Sequence, residues 1–322
     1  MDKTSFCLRS FYKEHSLKIF GIFAFAMTFI CAVLSTLSRT LFFDEIGYYQ
    51  NHTIIPKLFI TACACSALLI AVFCFAPKIR INPSEQSTPL PVRIGAMILA
   101  VGFAILSLES LNTVTVATTE YGITWNLQSF NYLILPLIIR LFTTIHLIRT
   151  ALIKDPSGAF NVLGSTCVII FAVSAIASTY FNTQIPMNAP NVTLLYLALL
   201  STMLLFTNEA RIGLGEDKGS FHAFSAAMTT LFGASFCISE AFVYLDLIND
   251  PKALISTITV NSYFSIIFFI TVFSATRLAS ICFIKPAAPI EEADNAEQNN
   301  NENDNEEAEA SEDVIDTQAD DE

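Results

Sequence analysis

The chain has 322 residues, of which 53% are hydrophobic and only 14% charged, with a mean hydropathy of +0.55. A soluble domain is nearer one quarter charged. This composition excludes an ordinary soluble protein and a nucleic-acid partner, and it predicts a partner in the lipid bilayer. The net charge of −12 is unevenly placed: no Lys or Arg follows Lys285 while 15 Asp or Glu do, and residues 1–285, with 17 basic and 14 acidic residues, carry +3.

Residues 1–16 mix Phe6, Phe11 and Tyr12 with Arg9, Lys13 and His15. They read as a basic flank on the cytoplasmic side, with an interfacial helix as the alternative. Eight apolar spans follow at 17–43, 55–76, 92–113, 130–153, 160–182, 192–212, 221–247 and 260–284. Each is near the ~20 residues needed to cross a hydrocarbon core. The first is longer than the apolar stretch of a cleaved signal peptide and is expected to remain as a helix.

Loop charge sets the orientation. Lys78, Arg80, Arg93, Arg149, Lys154, Arg211, Lys218 and Lys285 flank one set of span ends. The other set carries Asp44, Glu45, Glu120, Asp246 and Asp250, with Lys57 and Lys252 as its only lysines. The positive side is the cytoplasmic one, so both termini are expected inside a plasma membrane, in a bacterium. Tyr48, Tyr49, Trp125, Tyr180 and Tyr244 fall near the outer ends, where amphipathic rings prefer to sit. Asn51-His52-Thr53 and Asn191-Val192-Thr193 match a glycosylation pattern that matters only in a eukaryotic secretory pathway.

Residues 286–322 are mostly Glu, Asp, Asn and Ala. Such a tail cannot bury enough apolar surface to offset its ordering entropy and is expected to be disordered. It is either a solvated tail or a docking segment for a cytoplasmic protein partner.

The eight cysteines lie mostly in or beside apolar spans and read as small hydrophobes rather than as a disulfide framework. Cys63-x-Cys65 lacks the second ligand pair that a structural zinc site needs, so neither a metal nor a cofactor is expected.

A four-span unit is written twice. At an offset of 131, Met97, Gly102 and Glu109 become Met228, Gly233 and Glu240, and Arg80 becomes Arg211. The expected fold is therefore all-α and polytopic, with eight transmembrane helices in two tandem four-helix repeats, 17–154 and 155–285. An even number of spans places both copies in one orientation, related by an axis along the membrane normal.

The candidate site residues are the ionisable groups inside the spans: Glu109, Arg140, His146, Glu240 and Arg277. Such groups are expensive in lipid and need a partner or a role. Gly95, Gly102 and Glu109 are spaced by seven, as are Ala226, Gly233 and Glu240, so both glutamates are expected to face the bundle interior. Arg140 follows Pro136, where a kink is expected, and reaches a depth close to that of Glu109; the two are expected to pair. Thr271 stands where Arg140 would repeat, which leaves Glu240 without that partner, and His146 corresponds to Arg277.

Three readings follow. The charges form a structural lock, or they line a path for a small solute or proton, or they serve an enzyme. No His-Glu-x-x-His, Gly-x-Ser-x-Gly or phosphate-loop pattern supports an enzyme. The functional expectation is permease-like transport of a small solute. The alternatives are a non-catalytic membrane scaffold or assembly factor and, more weakly, a membrane sensor.

Overall fold

The structure is a computed structural model. It describes residues 3–42, 54–75, 88–119, 130–153, 158–181, 190–214, 219–249 and 263–284. The acidic tail, the Asn51 motif and most of the loop charges that set the expected orientation lie outside the described residues. The contacts divide the chain into a body, Met1–Ile284, and a second unit, Lys285–Glu322.

The described residues of the body form eight α-helices and no strand: α1 (Lys3–Phe42), α2 (Ile54–Phe75), α3 (Leu90–Thr119), α4 (Leu135–Leu152), α5 (Ala159–Phe181), α6 (Pro190–Gly213), α7 (Gly219–Asn249) and α8 (Phe264–Phe283). All eight contain a stretch long and apolar enough to cross a membrane. In lipid every backbone polar group must be satisfied within the segment, and this is why an apolar run of that length becomes a helix. The protein is thus an all-helical, multi-pass integral membrane protein.

Two elements differ from the expectation. The flank 1–16 is not a separate segment, because α1 is helical from Lys3, well before its apolar stretch begins at Leu17. The second lies just before Pro136, where the sequence predicts a kink. Residues Phe130–Ile134 make a π-helical turn, and the α-helix begins at Leu135 with Pro136 in its first turn. Proline is favoured in the first turn of an α-helix, where its fixed φ is already helical.

Consecutive helices run antiparallel. The end of the bundle that holds the close of α2 and the start of α3 is called basal here, and the opposite end distal. The helix α7 is central: it packs on α1, α2, α6 and α8, and it is the most buried of the spans. Its sequence counterpart α3 packs chiefly on α4 and α8.

Small residues set these contacts, as expected where helix association rests on close packing rather than on water exclusion. A Cβ on Gly102 would fall inside the ring of Phe269, one on Gly95 would strike Thr276, and one on Gly233 would strike Thr271. The helix α8 therefore lies between α3 and α7, approached closely by Gly95 and Gly102 of the one and Gly233 of the other. At the basal end, Gly158 has φ +97°, a conformation open to glycine, and its N–H donates to Gly213 O at 3.1 Å. This closes the start of α5 on the end of α6.

The middle of the bundle is filled. Phe103, Phe206, Phe236 and Phe273 are fully buried. Phe206 stacks on Phe273 with ring centroids 5.6 Å apart, and Phe103 meets Phe171 edge-on at 5.2 Å. Many Ser and Thr hydroxyls return to the carbonyl one turn back, as Thr28 does to Ala24 O and Ser107 to Phe103 O, both at 2.8 Å. The spans carry these groups because they need no partner outside their own helix.

Candidate functional site

The intramembrane charges fall into two polar layers, one at each end of the packed phenylalanines.

The basal layer is built on Glu209, near the end of α6. Arg277 of α8 donates to both carboxylate oxygens, from Nε to Oε1 at 2.6 Å and from Nη2 to Oε2 at 2.5 Å. His222, in the first turn of α7, stands 3.0 Å from Oε1. All three side chains are buried. A bidentate carboxylate–guanidinium pair is the geometry in which two charges best offset their own desolvation. Asn161 Nδ2 of α5 donates to Glu209 O at 3.2 Å, and Asn208 Nδ2 donates to Ser225 Oγ at 3.0 Å. Four helices are tied here by groups that satisfy one another.

His146 is buried at the same end but lies outside this cluster of bonds; its ring packs where a Cβ on Gly164 would stand. Nearby, Arg93 at the start of α3 caps the end of α4, donating from Nε to Ala151 O at 2.7 Å and from Nη2 to Leu152 O at 3.0 Å. A cation at a helix C-terminus meets carbonyls that have no intrahelical donor.

The distal layer has two separate parts. Arg39, in the last turn of α1, donates to Glu240 Oε1 on α7, and both side chains are buried. The second carboxylate oxygen of Glu240 has no hydrogen-bond partner among the described residues. The position that matches Arg140 holds Thr271, yet Glu240 has a basic partner. The partner comes from α1, a helix that the comparison of Glu240 with Glu109 and Arg140 left out.

The other part is a cavity of about 270 Å³ whose lining includes Glu109, Ser110 and Thr113 of α3, Pro136 and Arg140 of α4, Phe171 of α5, and Tyr263. Arg140 Nη1 donates to Ser110 Oγ and, at 3.1 Å, to Leu106 O. Its Cζ lies 6.0 Å from the centroid of the Phe171 ring, which forms the floor together with Leu106. Tyr263 Oη shares a 2.5 Å hydrogen bond with Ser178 Oγ of α5, which fixes that wall. The π-turn enters the lining through Leu133. Single π-turns joined to an α-helix are frequent at functional sites.

No salt bridge joins Glu109 to Arg140 among the described residues, so the expected ion pair is corrected. Glu109 is exposed, and Ser110, its neighbour, is the buried residue. The reason is the helical repeat. Seven residues fall short of two full turns, so two heptads from Gly95 rotate the stripe by about 40°. On α3, which has neighbours chiefly on one side, that rotation carries Glu109 out of the packed face. On α7, which is surrounded, the same rotation leaves Glu240 buried.

The five candidate residues thus separate. Glu109 and Arg140 share the distal cavity, Glu240 belongs to the α1–α7 pair, Arg277 belongs to the basal cluster, and His146 is packed apart from all of them. Sequence reasoning missed Arg39 as a partner and did not place Glu209 among the candidates. Arg39 carried a signal: it is a cation at the end of the bundle that the loop charges leave poor in Lys and Arg. Among the described residues no group of three or more His, Cys, Asp and Glu is placed to hold a metal ion.

No protein family, curated protein or solved structure matches this chain.

Proposed function

We propose that this membrane protein is permease-like and binds a small solute in the distal cavity, through Arg140. The observation that carries the reading is a guanidinium with donors to spare in a polar cavity of about 270 Å³ at membrane depth. Only Nη1 of Arg140 is engaged, and neither Nε nor Nη2 has a partner among the described residues. A charge retained at such depth without full internal satisfaction is a functional group by default. The irregular start of α4 supports the reading, since transporters build solute sites where a helix is interrupted. No step in this reading needs an enzyme.

The remaining parts of the reading are a duplicated four-helix origin, a bacterial plasma-membrane location with both termini cytoplasmic, and a tail available to a cytoplasmic partner. The Glu109/Glu240 and Gly102/Gly233 matches support the first, and the loop charges support the second.

The second reading is a non-catalytic scaffold, and the filled middle of the bundle favours it: Phe103, Phe206, Phe236 and Phe273 leave the two polar layers separated by close-packed rings. A thermal-shift screen of small solutes in detergent, on wild type and on Arg140→Gln, decides between them. Stabilisation of wild type by mass action that is absent in the folded variant supports the permease. If no solute shifts wild type, the scaffold reading replaces it.

A further inference from the structure

We infer that the distal cavity recognises a zwitterion, a ligand that carries an ammonium and a carboxylate or phosphate within one small unit. This rests on the reading of the cavity as a binding site and goes further by naming the ligand chemistry. The cavity walls hold one charge of each sign, Arg140 and Glu109, and no hydrogen bond or salt bridge joins them among the described residues. Arg140 turns instead to Ser110 Oγ and Leu106 O, through one nitrogen only. Nε and Nη2 are left as the free edge of the fork, the geometry that suits a carboxylate or phosphate. The Glu109 carboxylate makes no hydrogen bond or ion pair among the described residues.

A site meant for a simple anion would gain nothing from a carboxylate in its wall, because the like charge would repel the ligand. A site meant for a simple cation would suffer equally from Arg140. Only a ligand bearing both charges is attracted by both walls. A cavity of about 270 Å³ has room for a small amino acid or one headgroup. Thr113 and Tyr263 add hydroxyls to the walls, and Phe171 supplies an apolar floor for a short methylene chain.

Two sources share this chemistry: free amino acids, and the phosphate–ammonium headgroup of phosphatidylethanolamine. The full-length protein is placed in nanodiscs made only of phosphatidylglycerol, which has no ammonium. Calorimetric titration then uses ω-amino acids with one to four methylenes, the matching carboxylates and the matching amines. Phosphatidylethanolamine is supplied in a separate arm. The expected result is that one amino acid binds tighter than both singly charged analogues by about tenfold, or 1.4 kcal/mol. Glu109→Gln should lower its affinity to that of the carboxylate, and Arg140→Gln should remove binding of both. Arg140→Lys keeps the charge without the fork and should show partial loss, which preserves the test if the glutamine variant does not fold.

If the carboxylate or the amine alone binds as tightly as the amino acid and Glu109→Gln changes nothing, the zwitterion inference is wrong while the solute-binding reading stands. If phosphatidylethanolamine alone binds, and both variants weaken it, the zwitterion inference stands and the permease reading falls. If no probe binds the folded wild type, both fall.

Discussion

Arg39 and Glu240 are 201 residues apart in the chain and meet as a buried ion pair between α1 and α7. Their contact joins the first span to the central helix at the distal end. It also gives the most deeply buried intramembrane carboxylate of that end a positive neighbour.

Removing one partner of this pair strands a buried charge. Arg39→Gln and Glu240→Gln are each expected to destabilise the protein by about 3 kcal/mol. Arg39→Met/Glu240→Leu, which removes both charges and keeps the volume, is expected to recover more than half of the loss. Thermal unfolding in detergent reads all three. A double variant as unstable as the sum of the single ones would show that the two groups are not coupled.

The basal cluster makes a contrasting prediction. Glu209→Gln leaves the Arg277 guanidinium uncompensated in a buried site and is expected to lower stability by about 3 kcal/mol. Glu109→Gln, at an exposed position, is expected to stay within about 0.5 kcal/mol of wild type. The sequence alone gives no reason to rank these two, so equal effects in one unfolding experiment would contradict the structure.

Helix spacing can be tested by rescue. Gly164→Ala places a methyl group against the His146 ring and is expected to destabilise by about 1–3 kcal/mol through overpacking. Adding His146→Ala opens the space and is expected to restore most of that loss, even though His146→Ala alone is destabilising. Gly233→Ala paired with Thr271→Ala gives the same test between α7 and α8. Failure of both rescues would mean that these helices do not approach as described.

Orientation is open to direct labelling. In a background without native cysteines, single cysteines at positions 51 and 185 are expected to react with a membrane-impermeant maleimide on intact cells. Cysteines at positions 78 and 154 are expected to react only after permeabilisation. The reverse pattern would invert the topology and place the Arg140 cavity on the cytoplasmic side.

The residues that became the candidate site were legible as a class. A charge within ~20 apolar residues stands out in any sequence, and all five of those chosen lie in helices at membrane depth. Their pairing was not legible. Glu109 and Arg140 were matched by depth alone; the structure brings them to one cavity but, through a rotation that accumulates along α3, without a direct ion pair. The partner of Glu240 was missed because it lies on α1, which the comparison with Glu109 and Arg140 did not include. Glu209 was not among the candidates because it lies near a span end, yet α7 and α8 bring His222 and Arg277 to it.

The sequence by itself determined that eight helices cross a membrane, because apolar length is a local property and lipid permits no other backbone solution for such segments. It also determined which charges would have to be accounted for inside the bilayer. Only the tertiary structure decided which helix each charge faces. Helix order in a bundle depends on how side-chain volumes interlock across helices, as Gly102 does with Phe269 and Gly233 with Thr271. Those contacts join residues that no local pattern connects, and they leave Arg140 facing a cavity and Glu240 facing Arg39.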